Sequence, residues 1–255
     1  MRIATWNINS LRVRLDHVCT WLQSTQPDLL ALQETKAKDD DFPFEVFEEI
    51  GYRALFSGQP TYNGVALIAR QIGQETATEL DGFDDPQRRV LAATYDNLRV
   101  MNLYVPNGQT VDSEKYQYKL EWLTALSRQL PKQIEEHENL VLLGDFNIAP
   151  EDRDVHDPAA WEGKVLCSAQ ERAALNGILE LGFSDTFRLF EQNDSSYSWW
   201  DYRAGAYRRN RGLRIDLILA SEQLARRCTA CHIDVAPRGW ERPSDHTPVV
   251  ADFTL

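Results

Sequence analysis

The sequence predicts an α/β fold in which two mixed β-sheets pack face to face and are covered by helices. Short apolar runs, many of them β-branched, are bounded by Gly, Asn, Asp or Pro, as buried strands are. Stretches with helical apolar spacing lie between them. The apolar runs also end repeatedly in carboxylates, amides, one phenol and one imidazole, which is how a fold assembles a site from distant sequence.

The elements follow in order. A run at 2–8 opens the chain, and the stripe Leu11, Leu15, Val18 and Leu22, with Cys19 beside it, predicts a helix with a buried face. Runs at 28–33, 52–57, 64–69, 89–95 and 98–105 read as strands, with hairpins expected around 52–69 and 87–105. Tyr116, Leu120, Leu123, Leu126 and Leu130 form one face of a helix over about 113–130. A strand at 139–144 follows. Ser168 and Glu171 have capping-box spacing and start a helix through Leu175, Ile178, Leu179 and Leu181, stopped at Gly182. Runs at 214–220 and 247–253 complete the strands. No Pro/Ser/Gly-rich linker, low-complexity stretch or strong internal repeat divides the chain, so 1–255 is expected to be one domain.

With 27 basic and 39 acidic residues the formal charge is −12, which argues against holding nucleic acid by bulk electrostatics. The basic segment Arg203, Arg208, Arg209, Arg211 and Arg214 is a local exception. It suits phosphate contact in one groove, and a solvated loop is the plainer reading. No signal-peptide core or membrane-spanning apolar run is present, so a soluble cytoplasmic protein is expected. Cys19, Cys167, Cys228 and Cys231 are too sparse for a disulfide framework. The Cys228/Cys231 pair lacks the second pair that a zinc site needs.

Four acids follow or interrupt strands: Glu34, Asp145, Asp216 and Asp245. Any one of them alone reads as a cap or turn residue. Their recurrence beside Asn7, Tyr104 and Asn147 makes an oxygen-rich set suited to a hard cation such as Mg²⁺, and the lone His246 does not make a zinc site.

The strings WNIN (6–9), LQETK (32–36), YVPNG (104–108), GDFNIAP (144–150), NRGLRIDLIL (210–219) and PSDHTPVV (243–250) resemble the exonuclease III family of apurinic/apyrimidinic endonucleases, bacterial branch. They stand in family order along the whole chain. The resemblance implies a four-layer α/β sandwich and Mg²⁺-dependent phosphodiester hydrolysis 5′ to abasic sites in duplex DNA, with Mn²⁺ expected to substitute. Removal of 3′ blocking groups and 3′-terminal nucleotides is also implied, by a monomer. Glu34 would be the principal metal ligand, assisted by Asn7. Asp145 would orient or deprotonate the attacking water, and Asn147 would hold the scissile phosphate. Asp216 would fix and charge His246, while Asp245, assigned to the metal site, and Tyr104 complete the centre. Substrate contacts are expected from Asn107, Trp199, Leu213, Arg203, Arg208, Arg209, Lys115 and Lys119. Leu213 stands where animal-type relatives carry a pocket tryptophan, and Gln109 where some carry arginine. Both departures bear on grip around the lesion rather than on bond cleavage.

These residue types fit the chemistry. A phosphodiester is an anion, so its hydrolysis needs charge neutralisation as well as a base. Flipping a nucleotide out of the stack costs least where its pairing is already lost, so a tight aromatic-lined pocket can select abasic sites. The Tyr197–Tyr202 aromatics also fit a strand filling the core. A phosphoinositide or sphingolipid phosphodiesterase would keep the Asp–Asn–His set but need a membrane- or headgroup-facing surface, and the aromatic, arginine-rich 197–214 segment favours DNA. A binding domain with a decayed site is disfavoured because every catalytic position holds a competent side chain.

Overall fold

The computed structural model describes residues 1–255, and most of its strands are buried on both faces. That is why they read as continuous apolar runs rather than alternating ones. The first part of the chain runs β1 (Arg2–Asn7), α1 (Leu11–Thr25), β2 (Leu29–Gln33), α2 (Phe44–Glu49), β3 (Arg53–Ser57), β4 (Val65–Ala69), β5 (Gln74–Ala77) and β6 (Val90–Tyr95). The second runs β7 (Leu98–Tyr104), α3 (Glu114–Glu136), β8 (Asn139–Asp145), α4 (Pro158–Trp161), α5 (Ala169–Glu180), β9 (Phe183–Asp185), β10 (Asp216–Ser221), α6 (Glu222–Ala225), β11 (Cys228–Ile233) and β12 (Val249–Phe253).

Two six-stranded sheets result, in the orders β11-β12-β1-β2-β4-β3 and β5-β6-β7-β8-β10-β9. Each has one parallel pair, β1 with β2 and β7 with β8, connected through the long helices α1 and α3. The other pairings are antiparallel, including the hairpins expected from β3–β4 and β6–β7. The two halves therefore share one topology. Each builds four strands of one sheet and sends its final antiparallel pair to the other sheet. No sequence repeat announces this symmetry.

Ile3, Ala31, Leu67, Val100, Val141, Leu143, Ile218 and Ala251 fill the space between the sheets. Ala4, Trp6, Leu30, Leu32 and Ile68 face outward against Val18, Trp21 and Leu22 of α1 and Phe47 of α2. On the opposite side Leu103, Leu142, Leu217 and Leu219 pack on Trp122 and Leu126 of α3 and Leu175 and Ile178 of α5. These are the four expected layers. Each fully buried aliphatic side chain contributes on the order of 1.5–3 kcal/mol.

Strand parity places the polar residues. Successive side chains alternate faces, so counting by twos from inward Ile3, Val100, Val141 and Ile218 makes Asn7, Tyr104, Asp145 and Asp216 the last inward positions at one rim. Register aligns them: Tyr104 pairs with Asp145, and Asp145 with Asp216. Beneath the rim, Gln33 Nε2 donates to Thr5 Oγ1 and Asn102 Oδ1 at 2.9 and 2.8 Å, tying the sheets together through a buried polar layer.

The structure departs from expectation in several elements. β5 is wholly exposed and polar, β9 has three residues, and β11 mixes cysteine, threonine and histidine, so none carries a long apolar run. α3 continues through Pro131 to Glu136, because one missing N–H does not end a helix already packed along its face. Residues 197–202 form no strand; Trp199 makes only isolated bridges, to Leu213 and His246. All four cysteines are free thiols. No helix is long and apolar enough to cross a membrane.

Candidate active site

Glu34 immediately follows β2 in the left-handed region, at φ 51°, and Asn9 (45°) and Asn147 (50°) share that conformation. Non-glycine residues held there carry strain that the surrounding structure must offset, and such positions concentrate at functional sites. Asn7 Nδ2 donates 2.9 Å bonds to both Glu34 Oε1 and Asp145 Oδ2, so one amide draws together carboxylates from the two sheets. Lys36 Nζ lies 2.9 Å from Glu34 Oε2 and donates to Asn9 Oδ1 at 2.6 Å. Burial opposes ionisation of Glu34, but the Lys36 ammonium and Asn7 amide hold its pKa below the usual range.

The Gly144–Asn147 turn carries the next cluster. At Gly144, φ is 148° and a Cβ would lie 1.9 Å from the Leu103 carbonyl oxygen, so only glycine lets β8 lie this close to β7. Asp145 accepts the Asn147 backbone N–H at 2.9 Å, and its other oxygen accepts from Asn147 Nδ2 at 3.1 Å. Asn107 Nδ2 in turn donates to Asn147 Oδ1 at 2.9 Å. Burial and the neighbouring Glu34 carboxylate push the Tyr104 phenol well above its ordinary pKa. The phenol is therefore held in its protonated form.

His246 faces this turn. Its Nδ1 sits 2.9 Å from Asp216 Oδ2 and its Nε2 lies 3.8 Å from Asp145 Oδ2. Ser198 Oγ donates to Asp216 at 2.6 Å and accepts the Ile215 and Asp216 N–H groups, which locks the carboxylate. Burial alone would neutralise the imidazole. The Asp216 and Asp145 carboxylates override it and raise the His246 pKa to about 10. Burial pushes the Asp145 carboxyl up to about 7, against the pull of the His246 imidazolium.

Residues 4–246 match the endonuclease/exonuclease/phosphatase family. The chain belongs to that family. Exodeoxyribonuclease III of Haemophilus influenzae is 35% identical, with 99% of this chain and all of that protein covered. Two solved structures superpose over the full length of both chains: the 3′ phosphatase NExo from Neisseria bound to a product DNA hairpin (TM-score 0.98, 44% identity) and an AP endonuclease from Archaeoglobus fulgidus (TM-score 0.96, 42% identity). The chain is accordingly a nuclease, a phosphodiester hydrolase of the DNA-repair type.

Around the centre of this endonuclease/exonuclease/phosphatase member, the residues expected to meet substrate separate into exposed and buried sets. Asn107, Lys115, Arg203, Arg208 and Arg209 are exposed. Asn107 and Lys115 line a groove of about 700 Å³ with Gln109 and Arg89. Trp199 is half-buried beside the His246 ring, with ring centroids 6.5 Å apart, and its indole N–H donates to Asp245 Oδ2 at 3.1 Å. Asn9 Nδ2 holds the other Asp245 oxygen at 2.9 Å.

Two substrate expectations are corrected. Lys119 is fully buried in an ion pair with Glu171, with Nζ 2.5 Å from the carboxylate, so no phosphate reaches it. Leu213 is fully buried against Val155 and Ile215, so it presents no surface to a lesion. Arg214 also leaves the basic segment's surface: it is buried and binds Asp154 and Asp185. Sequence reading missed Lys36, Ser198 and the structural reach of Asn9. Asn9 had a signal, since it stands in the first polar cluster, whereas Ser198 is masked by its aromatic neighbours.

The donor chemistry fits a hard divalent cation. Glu34, Asn7 and Asp145 offer oxygen without a thiolate. Ligand atoms of Asp145, Asp216 and His246 also lie within 4.8 Å of one another, but there Asp216 is engaged by His246 Nδ1 and Ser198 Oγ, while Asp145 stands 3.8 Å from the other ring nitrogen. In the present geometry the Asn7 amide oxygen accepts the Asn9 N–H at 3.0 Å, so the Glu34 carboxylate is the stronger candidate ligand.

Proposed function

We propose that this nuclease hydrolyses the phosphodiester 5′ to abasic sites in duplex DNA and also clears 3′ ends, using Mg²⁺ and residues 1–255 as one catalytic unit. Cytoplasmic, monomeric action is part of the reading. The observation that carries it is the facing arrangement at the rim: carboxylates Glu34 and Asp145 joined by Asn7 on one side, the Asp216–His246 pair on the other. Glu34 would hold the cation, with Asn7 and Asp245 beside it. When bound, the cation would neutralise phosphate charge and acidify water.

The protein's own groups then divide the work. Asp145 orients the attacking water and takes its proton, its carboxylate fixed by the Asn7 and Asn147 amides. Asn147 holds the scissile phosphate, steadied by Asn107. His246, kept protonated by Asp216, donates to a phosphate oxygen as charge accumulates in the transition state. Tyr104 donates its phenol proton within the same cluster. Trp199 lines the pocket for the extruded sugar, while Lys115, Arg203, Arg208 and Arg209 contact the DNA backbone without reading sequence.

A second reading, predominant 3′-end processing, is favoured by the buried Leu213, which adds nothing to a lesion pocket. The structural relatives described as a 3′ phosphatase and an AP endonuclease are nearly equally similar, at 44% and 42% identity. A duplex bearing one tetrahydrofuran abasic analogue, incubated with Mg²⁺ or with excess EDTA, separates the readings. The analogue cannot undergo β-elimination. A Mg²⁺-dependent nick on its 5′ side leaving a 3′-hydroxyl is expected; shortening from 3′ ends without that nick selects the second reading, and cleavage that survives EDTA rejects the metal role.

A further inference from the structure

The Lys119–Glu171 ion pair is fully buried at both ends, yet its second set of partners lies in the active-site turns. Lys119 Nζ donates to the Asn147 carbonyl at 2.7 Å and to the Asn107 carbonyl at 3.2 Å. These are the two residues whose side-chain amides bond each other at 2.9 Å. Gly108, at φ 92°, leaves room for the lysine stem: a Cβ there would lie 3.3 Å from Lys119 Cδ. Glu171 is anchored from the other direction, accepting the Leu166 and Ser168 N–H groups at 3.0 Å each and Ser168 Oγ at 2.6 Å. The Ala149 N–H donates to the Leu166 carbonyl at 2.8 Å, which closes a loop back to the Asn147 turn. One buried pair thus holds three segments, 107–108, 147–149 and 166–168, none of which belongs to a helix or strand.

Burial of a charged pair of this kind gives little net stability, since the cost of removing both ions from water offsets their attraction. Its geometric content is what distinguishes it, because an ammonium with three donors can fix two backbone carbonyls and a carboxylate at once. We propose that Lys119 and Glu171 are positioning residues of the nuclease reaction, setting the backbone of Asn107 and Asn147 so that their amides meet the phosphate in register with Asp145. The assignment rests on the reading of Asn147 as a phosphate-holding residue.

The test compares Asn147→Ala with the double variant Lys119→Met/Glu171→Gln, which removes both charges while retaining a carbonyl acceptor for the α5 cap. Turnover, affinity for an uncleavable duplex, thermal unfolding and side-chain amide NMR signals are measured in the presence of Mg²⁺. The expected result is a double variant that remains folded and binds DNA within twofold of the parent. Its kcat falls ~10-fold or more, since a displacement of about 1 Å can cost ~10²-fold, and the Asn107 and Asn147 side-chain signals shift. Lys119→Arg recovers part of the loss. Should the double variant not fold, Glu171→Gln alone serves, with a several-fold lower kcat at unchanged affinity expected. A folded variant with kcat within twofold of the parent, beside an impaired Asn147→Ala, overturns the positioning role and leaves the reading of Asn147 intact. An unimpaired Asn147→Ala overturns both.

Discussion

At the scale of single residues, protonation is set by what lies within about 4 Å. Asp145 accepts bonds from Asn7 and Asn147 and faces His246 at 3.8 Å. Asp145→Ala is expected to lower kcat by at least ~10²-fold, the usual size of a general-base contribution, in a single-turnover assay with saturating Mg²⁺. His246 owes its raised pKa chiefly to Asp216, opposing burial. Followed by NMR in the metal-free protein, the imidazole should remain protonated through neutrality and titrate near pH 10, and Asp216→Asn should lower that midpoint. The sign for stability follows. A folded pKa of about 10 against an ordinary 6.5 gives a contribution fully present below pH 6.5 and lost as pH rises toward 10. The denaturation midpoint of Asp216→Asn should therefore fall relative to the parent most at low to neutral pH, with the gap narrowing as the solution becomes alkaline. The residues that meet at the rim were visible in the sequence because each follows, interrupts or precedes an apolar run. Lys119 misled because its charge suggests surface, and only tertiary packing reveals the carboxylate that accompanies it inside.

At the scale of elements, the strands were legible where both faces are buried and obscure where an edge is exposed. β4 and β8 are fully buried and plain in sequence, whereas β5 is exposed along its whole length and carries no pattern. α5 announced itself through Ser168 and Glu171, whose reciprocal capping bonds form as expected. The backbone demand at Gly144 leads to a stability prediction. Gly144→Ala places a methyl 1.9 Å from the Leu103 carbonyl oxygen, at a φ of 148° that disfavours any side chain. The expected loss is about 2–4 kcal/mol, read as a lower denaturant midpoint, because the parallel β7–β8 pair must separate to relieve the overlap. Activity should fall as well, since Tyr104 and Asp145 take their relative position from that pairing.

At the scale of the whole molecule, an acidic protein with a net charge of −12 must engage a polyanion through a restricted patch. Arg208 and Arg209 are exposed on the loop preceding β10, and neither takes part in an ion pair. Replacing both by Ala should weaken duplex binding to a similar degree across sequences. The slope of log Kd against log salt should shrink by ~1 for each phosphate no longer neutralised, as fluorescence anisotropy at several salt concentrations would show. Unchanged slopes would place the DNA elsewhere on the surface. The arginine segment was visible in sequence as a run, although Arg214, at its end, proves to be internal.

The exchange of final strand pairs between the two sheets means that segments far apart in the chain must meet before the rim is complete. β1 leaves the ribosome long before its partner β12, and Ser244 Oγ bonds the Asn7 carbonyl at 2.7 Å only once the segment leading into β12 docks. Until then the nascent chain can contain Glu34, Asp145 and Asp216 but lacks His246. A product truncated before that segment lacks both His246 and the β12 partner of β1, so it is expected to show no nuclease turnover in a duplex cleavage assay.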